Sequence, residues 1–179
     1  SGSLNFIFNN YCNGMKFSTA VKKAMEEGYT EPDPLVDLKG TDVSRKLLIL
    51  VREAGIRLEH SDIVFESYLP HSLPDKYLSD KFADQISAYD EYFEKRRIEL
   101  TEQQKKIRVV AKYARGRASI SLMEVDRMHP FFNLEGNDNV VSLICKRYLS
   151  RPLIIKGAGA GADVTASGIF SDILSIINN

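Results

Sequence analysis

Apolar positions recur at helical spacing from the first residues: Leu4, Ile7, Phe8 and Tyr11 share one face, and Asn13-Gly14 ends the run. A second helix is predicted from Ser18, taken as its cap, with Ala20, Val21, Ala24 and Met25 buried and Gly28 closing it. Residues Tyr29 to Gly40 (YTEPDPLVDLKG) place two prolines among acidic and turn-forming positions, which argues against regular helix or central strand and predicts a loop. Thr41 then caps a third helix that should bury Leu47, Leu48, Leu50, Val51 and Ala54 and end at Gly55.

The second half alternates more than it spirals. A β-branched and aromatic run from Asp62 to Leu69 predicts a strand, and a long amphipathic helix from about Leu78 to Leu100 follows from Phe82, Ile86, Tyr89 and Phe93. Ile107 to Tyr113 and Ala118 to Val125 read as a hairpin turning at Arg115-Gly116. Val140 to Tyr148 and Leu153 to Ile155 supply further strands. The tail, GAGAGADVTASGIFSDILSIINN, is a glycine turn entering a helix with Val164, Ile169, Phe170, Ile173 and Leu174 apolar. This order implies an α+β domain with a mixed, largely antiparallel sheet covered by helices on one face.

A length of 179 residues suits one core and one domain, 1–179. Lysine plus arginine (24) balances aspartate plus glutamate (24), so no overall field recruits nucleic acid or an anionic membrane. The expected partner is a small molecule or another protein. Cys12 and Cys145 lie outside any metal-ligand spacing and are expected to be reduced and packed in a cytoplasmic protein. No segment is long and apolar enough to cross a bilayer. His60, His71 and His129 do not form a ligand cluster, so no metal is expected, and Arg96-Arg97 with Lys105-Lys106 reads as a solvated face.

The chemical signal lies between Tyr29 and Lys46, where Glu31, Asp33, Asp37 and Asp42 precede Arg45 and Lys46. Asp42 and Lys46, four apart at a helix start, share a face on which carboxylate and ammonium can converge on one ligand. From spacing alone, an ordinary exposed ion pair is the commoner explanation. A calcium loop is disfavoured by the prolines and by the absence of the twelve-residue ligand spacing.

GYTEPDPLVDLKGTDVSRKLLILVREAG resembles the signature region of homoserine dehydrogenases, and SGSLNFIFN and GAGAGADVTASGIFSDIL resemble two further blocks of that family in the same order. The resemblance implies interconversion of aspartate β-semialdehyde and homoserine with NADPH or NADH, on the way to threonine and methionine. It implies Lys46 as catalytic acid or base, with Asp42 positioning it. Glu31 would hold the substrate ammonium, Asp37 and Tyr29 would line the pocket, and Gly2 and Ser3 would approach the substrate. Gly161 would approach the cofactor, although chain reversal is the plainer account of a glycine turn.

Leu35-Val36 stands where many members carry Arg-Asp, and Ser3 replaces the more usual threonine. No GxGxxG fingerprint follows a strand, so the nucleotide-binding Rossmann domain is expected to lie outside this chain, with the residues that choose NADP or NAD. The terminal helices would pack on that domain, and the chain is expected to be inactive alone. Its end at Asn179, without the regulatory domain common in monofunctional members, points to the C-terminal part of a bifunctional aspartokinase/homoserine dehydrogenase. The family also implies a homodimer through the sheet. The contrasting reading is an oligomerisation module whose acidic loop is structural.

Overall fold

The first helix packs against the central hairpin. The computed structural model describes residues 1–69, 79–136, 138–159 and 161–177. Helix α1 (Gly2–Cys12) packs on α2 (Phe17–Glu26) and on strand β2 (Lys106–Ala114). Strand β3 (Arg117–Val125) pairs antiparallel with β2, and the turn between them, Arg115 (φ 52°) and Gly116 (φ 77°), has the two left-handed residues that suit a tight, right-twisted hairpin. Strand β1 (Ile63–Phe65) adds to β3 in parallel, giving the order β1-β3-β2. A separate antiparallel pair is formed by β4 (Asn139–Leu143) and β5 (Leu153–Gly157). The expected α+β class holds, with its strands divided between two small sheets.

Aromatic packing fixes the core. Phe17 and Phe93 stack at 4.0 Å, Tyr11 meets Phe93 edge-on at 5.4 Å, and Phe8 touches all three rings. Tyr11 keeps its hydroxyl satisfied by donating to the Phe93 carbonyl at 2.6 Å. Desolvation accordingly pushes the Tyr11 phenol far above its ordinary pKa. Arg108 is also buried. Its guanidinium donates to the carbonyls of Phe131 (2.9 Å) and Phe132 (3.0 Å), which ties the following loop to β2.

Several elements differ from the sequence expectation. The stretch predicted as one long helix is two, α5 (Ser79–Ser87) and α6 (Asp90–Glu102), and Leu78 falls outside the described residues. The bend lets Phe82, Ile86, Tyr89 and Phe93 all reach the core. It also aims Asp90 at the start of α2, where its carboxylate accepts the Ser18 N–H (2.8 Å) and Oγ–H (2.6 Å). Ser18 is therefore not the N-cap, which is Lys16. The loop 29–40 contains a short helix, α3 (Pro34–Leu38), started by Pro34 at N1 and by Asp33 accepting the Leu35 N–H at 2.9 Å.

Helix α4 (Thr41–Glu53) is capped by Gly40, not Thr41, because Gly40 holds φ 67° and a Cβ there would stand 3.0 Å from the Phe65 ring. Its buried stripe is Val43, Ser44, Leu47 and Val51, while Leu50 and Ala54 are exposed. The predicted strand 62–69 shrinks to β1, and β4 ends at Leu143 before a 3-10 turn at Lys146–Tyr148. Cys145 is exposed, contrary to a packed role. Arg96 and Lys105 both pair with Glu124 at 3.2 Å, so they are less free than a solvated face implies.

The terminal helices differ in their surroundings. Helix α1 buries Leu4, Ile7, Phe8 and Tyr11 inside this chain, whereas α7 (Ala162–Ile177) turns Val164, Ile169, Phe170, Ile173 and Leu174 to the outside. No helix among the described residues is long and apolar enough to cross a membrane.

The ring cluster predicts a large cost for Phe93→Ala, about 3–5 kcal/mol from lost burial and the cavity left between Phe17 and Tyr11. Denaturant unfolding should read this as a lower midpoint, and a shift under about 1 kcal/mol would contradict the packing described.

Candidate active site

The first turn of α1, the short α3 and the first turn of α4 meet at one corner of the fold, with α3 packed against both of the others. Asp37, on α3, joins them. It is 5% exposed, and both carboxylate oxygens are engaged: Oδ1 accepts the Ser3 hydroxyl at 2.6 Å and Oδ2 accepts the Glu31 backbone N–H at 2.8 Å. A buried carboxylate would cost several kcal/mol if unpaired, and short charge-assisted hydrogen bonds offset that cost. The Ser3 hydroxyl lies 2.9 Å from that of Ser1, so a chain of polar groups runs from the start of α1 to the loop before α3.

Tyr68 closes the corner from below. Its hydroxyl donates to the Leu38 carbonyl at the end of α3, and burial together with the Asp37 charge pushes its pKa far upward. Helix α3 is thus pinned at both ends, by Asp33 and by Tyr68. No motif singled out Tyr68, since its role depends on a contact thirty positions away in the chain.

Across from this buried network stands an exposed pair. Lys46 Nζ lies 3.0 Å from Asp42 Oδ2, with the two side chains 42% and 39% exposed. An exposed pair at this helical spacing contributes only about 0.5 kcal/mol to stability, so the fold gains little from it and both groups remain reachable. Asp42 also sits in the first turn of α4, where the helix dipole favours a negative charge. Ser1, at the start of α1, lies near enough to Lys46 and Asp42 for both of their charges to act on it.

The expected residues are thus partly assembled. Ser3 and Asp37 form the buried wall with Gly2 half-buried beside Ser3, Asp42 and Lys46 form the exposed pair, and Glu31 has its backbone fixed by Asp37 while its side chain is exposed. Tyr29 lies over Phe6 of α1, ring centroids 4.4 Å apart. Gly161 belongs to the turn before α7, and no contact among the described residues joins it to this corner. Two grooves of about 290 and 310 Å³ lie elsewhere, one beside Tyr68 and Arg96 and one beside Asn9 and Lys106. His129 is locally satisfied, its Nδ1 accepting the Phe131 N–H at 3.1 Å.

Comparison with known proteins gives this corner a context. The family model for homoserine dehydrogenase matches residues 1–174. The chain belongs to the homoserine dehydrogenase family. It is 43% identical over 178 residues to the chloroplastic bifunctional aspartokinase/homoserine dehydrogenase 2 of Zea mays, covering 98% of this chain and 19% of that protein. It is 39% identical to the homoserine dehydrogenase of Saccharomyces cerevisiae, covering 98% of this chain and 51% of the relative. A crystal structure of a Candida auris protein of unknown function superposes with a TM-score of 0.90 at 38% identity, over 100% of this chain and 52% of the other. The chain thus spans about a fifth of the bifunctional relative and about half of the yeast homoserine dehydrogenase.

Within this homoserine dehydrogenase-family corner, Ser3→Ala should leave Asp37 buried with one bond fewer, costing about 1–3 kcal/mol of stability. Thermal unfolding checks this. A variant as stable as the parent would show that the Ser3–Asp37 bond does not hold the wall together.

Proposed function

We propose that this chain is the substrate-binding and catalytic part of an enzyme interconverting aspartate β-semialdehyde and homoserine in threonine and methionine biosynthesis. Family membership supports the reaction, and the observation that carries the residue assignment is the half-exposed Asp42–Lys46 pair set beside a rigid, buried Ser3–Asp37 wall. In the reducing direction, the aldehyde oxygen gains negative charge as its carbon is reduced, and the Lys46 ammonium donates a proton to it, forming the hydroxyl. Asp42, 3.0 Å away, holds that ammonium in place before transfer. In the reverse direction neutral Lys46 takes the hydroxyl proton. Glu31 receives the substrate ammonium, Tyr29, Gly2 and Ser3 line the same space, and Asp37 holds Ser3 and the Glu31 backbone at fixed separation.

NADPH or NADH supplies the hydride when bound, mainly through a nucleotide-binding domain outside this chain. The glycine turn fits a contact to such a group. Gly161 has φ 136°, where an L side chain is strained, and no described atom beyond its neighbours stands within 4 Å of the position a Cβ would take. The outward apolar residues of α7 suit packing against that domain, and those of β4 and β5, among them Leu143, Ile154 and Ile155, suit a homodimer formed through the sheet. Two free cysteines fit a cytoplasmic enzyme. Similarity to bifunctional proteins supports an aspartokinase domain in the parent.

Lys46→Ala in the full-length enzyme should lower kcat about 100-fold or more while leaving folding intact. Steady-state kinetics with aspartate β-semialdehyde measures this, and unchanged turnover in a folded variant would defeat the assignment.

A further inference from the structure

Asn139 begins β4 opposite Gly157 of β5, and its side chain lies against the glycine turn beyond. A Cβ added to Gly159 would stand 2.0 Å from Asn139 Nδ2, 2.6 Å from its Cγ and 3.2 Å from its Cβ. Because the overlap reaches Cγ, swivelling the terminal amide does not relieve it; the whole side chain would have to change rotamer. Gly159 is not among the glycines with positive φ, so its backbone would accept alanine. The asparagine is what excludes one.

Asn139 itself stands on an anchored segment. Asn5, two residues beyond Ser3 in α1 and buried, directs its amide at the carbonyls of Glu135 (3.5 Å), Gly136 (3.2 Å) and Asp138 (3.3 Å). Asn9 adds a bond to the Gly136 carbonyl at 3.4 Å. From the other side, Lys156 of β5 pairs with Asp138 at 3.1 Å and donates to the Asn133 carbonyl at 3.3 Å. Asn5 Oδ1 is buried with no hydrogen-bond partner among the described residues, so only the donor side of this amide is engaged. Helix α1, which presents Ser3, and Gly159, where the glycine turn leaves β5, are joined through these contacts and Asn139.

We propose that Asn139 is a positioning residue for hydride transfer, setting the glycine turn at a fixed distance from the substrate end of α1 through its packing on Gly159. The inference rests on the functional reading above and adds a residue to it. Transfer falls off steeply when donor and acceptor are misplaced, with a shift of about 1 Å costing about 100-fold. Asn139 touches neither reactant; it acts through the turn.

The test compares Gly159→Ala, Asn139→Ala and the double variant in the full-length enzyme, using aspartate β-semialdehyde and a reduced nicotinamide cofactor deuterated at the transferred position. Gly159→Ala should lower kcat about ten- to a hundredfold and raise the deuterium isotope effect, with the KM for the semialdehyde changed less than about twofold. Removing the asparagine side chain makes room for the new methyl group, so the double variant should recover to the level of Asn139→Ala alone. A merely structural contact would lower the melting temperature without moving the isotope effect, and that result overturns the inference. So does a Gly159→Ala enzyme at parental rate, or a double variant as slow as Gly159→Ala. A parent enzyme with no such turnover would instead overturn the functional reading, and this inference with it.

Discussion

A single buried carboxylate organises this corner of the chain. Asp37 has almost no access to solvent that could screen its charge, so its two oxygens require donors, and the donors come from two separate segments, the Ser3 hydroxyl on α1 and the Glu31 N–H before α3. Satisfying one charge therefore fixes the position of two segments whose donors, Ser3 and Glu31, are 28 positions apart in the chain. The same constraint keeps α3 short and folded within a proline-bearing stretch, since Tyr68 ties its last carbonyl and Asp33 caps its start. Stability and function are divided here. The buried network supplies rigidity, while the exposed Asp42–Lys46 pair contributes little to stability and retains freedom to meet a ligand.

The apolar surface follows a related division. Aromatic rings from α1, α2 and α6 are consumed in the interior, so those elements form a stable base for the site. In contrast α7, β4 and β5 leave large apolar side chains outward. On the proposed reading these are contact surfaces for the rest of a larger enzyme, consistent with a chain that spans about half of its yeast relative. Asn5 of α1 and Lys156 of β5 both hold the residues that lead into β4.

Much of this arrangement was legible from spacing. The α1 face, the hairpin at Arg115-Gly116 and the buried row Phe82, Ile86, Tyr89 and Phe93 follow local periodicity, which depends on near neighbours only. What escaped depends on distant partners. The break between α5 and α6 reflects a demand from Ser18 on Asp90, 72 positions apart, and the conversion of Ser18 from cap to donor is the same event. Gly40 displaced Thr41 as the cap because Phe65 approaches its backbone, which no local pattern encodes. At the proposed site, the Asp42–Lys46 ion pair was readable from its helical spacing, whereas Asp37 looked like one acid among four until its burial and its two donors distinguished it. Asn139 and Tyr68 carried no sequence signal at all.

The most direct measurement of the central claim is a crystal structure of the full-length enzyme with homoserine bound. The account requires the homoserine hydroxyl within hydrogen-bonding distance of Lys46 and its ammonium at Glu31, with Asp37 still buried and still accepting from Ser3. Homoserine seated away from Lys46, or an Asp37 that leaves Ser3 to bind the ligand directly, would contradict it.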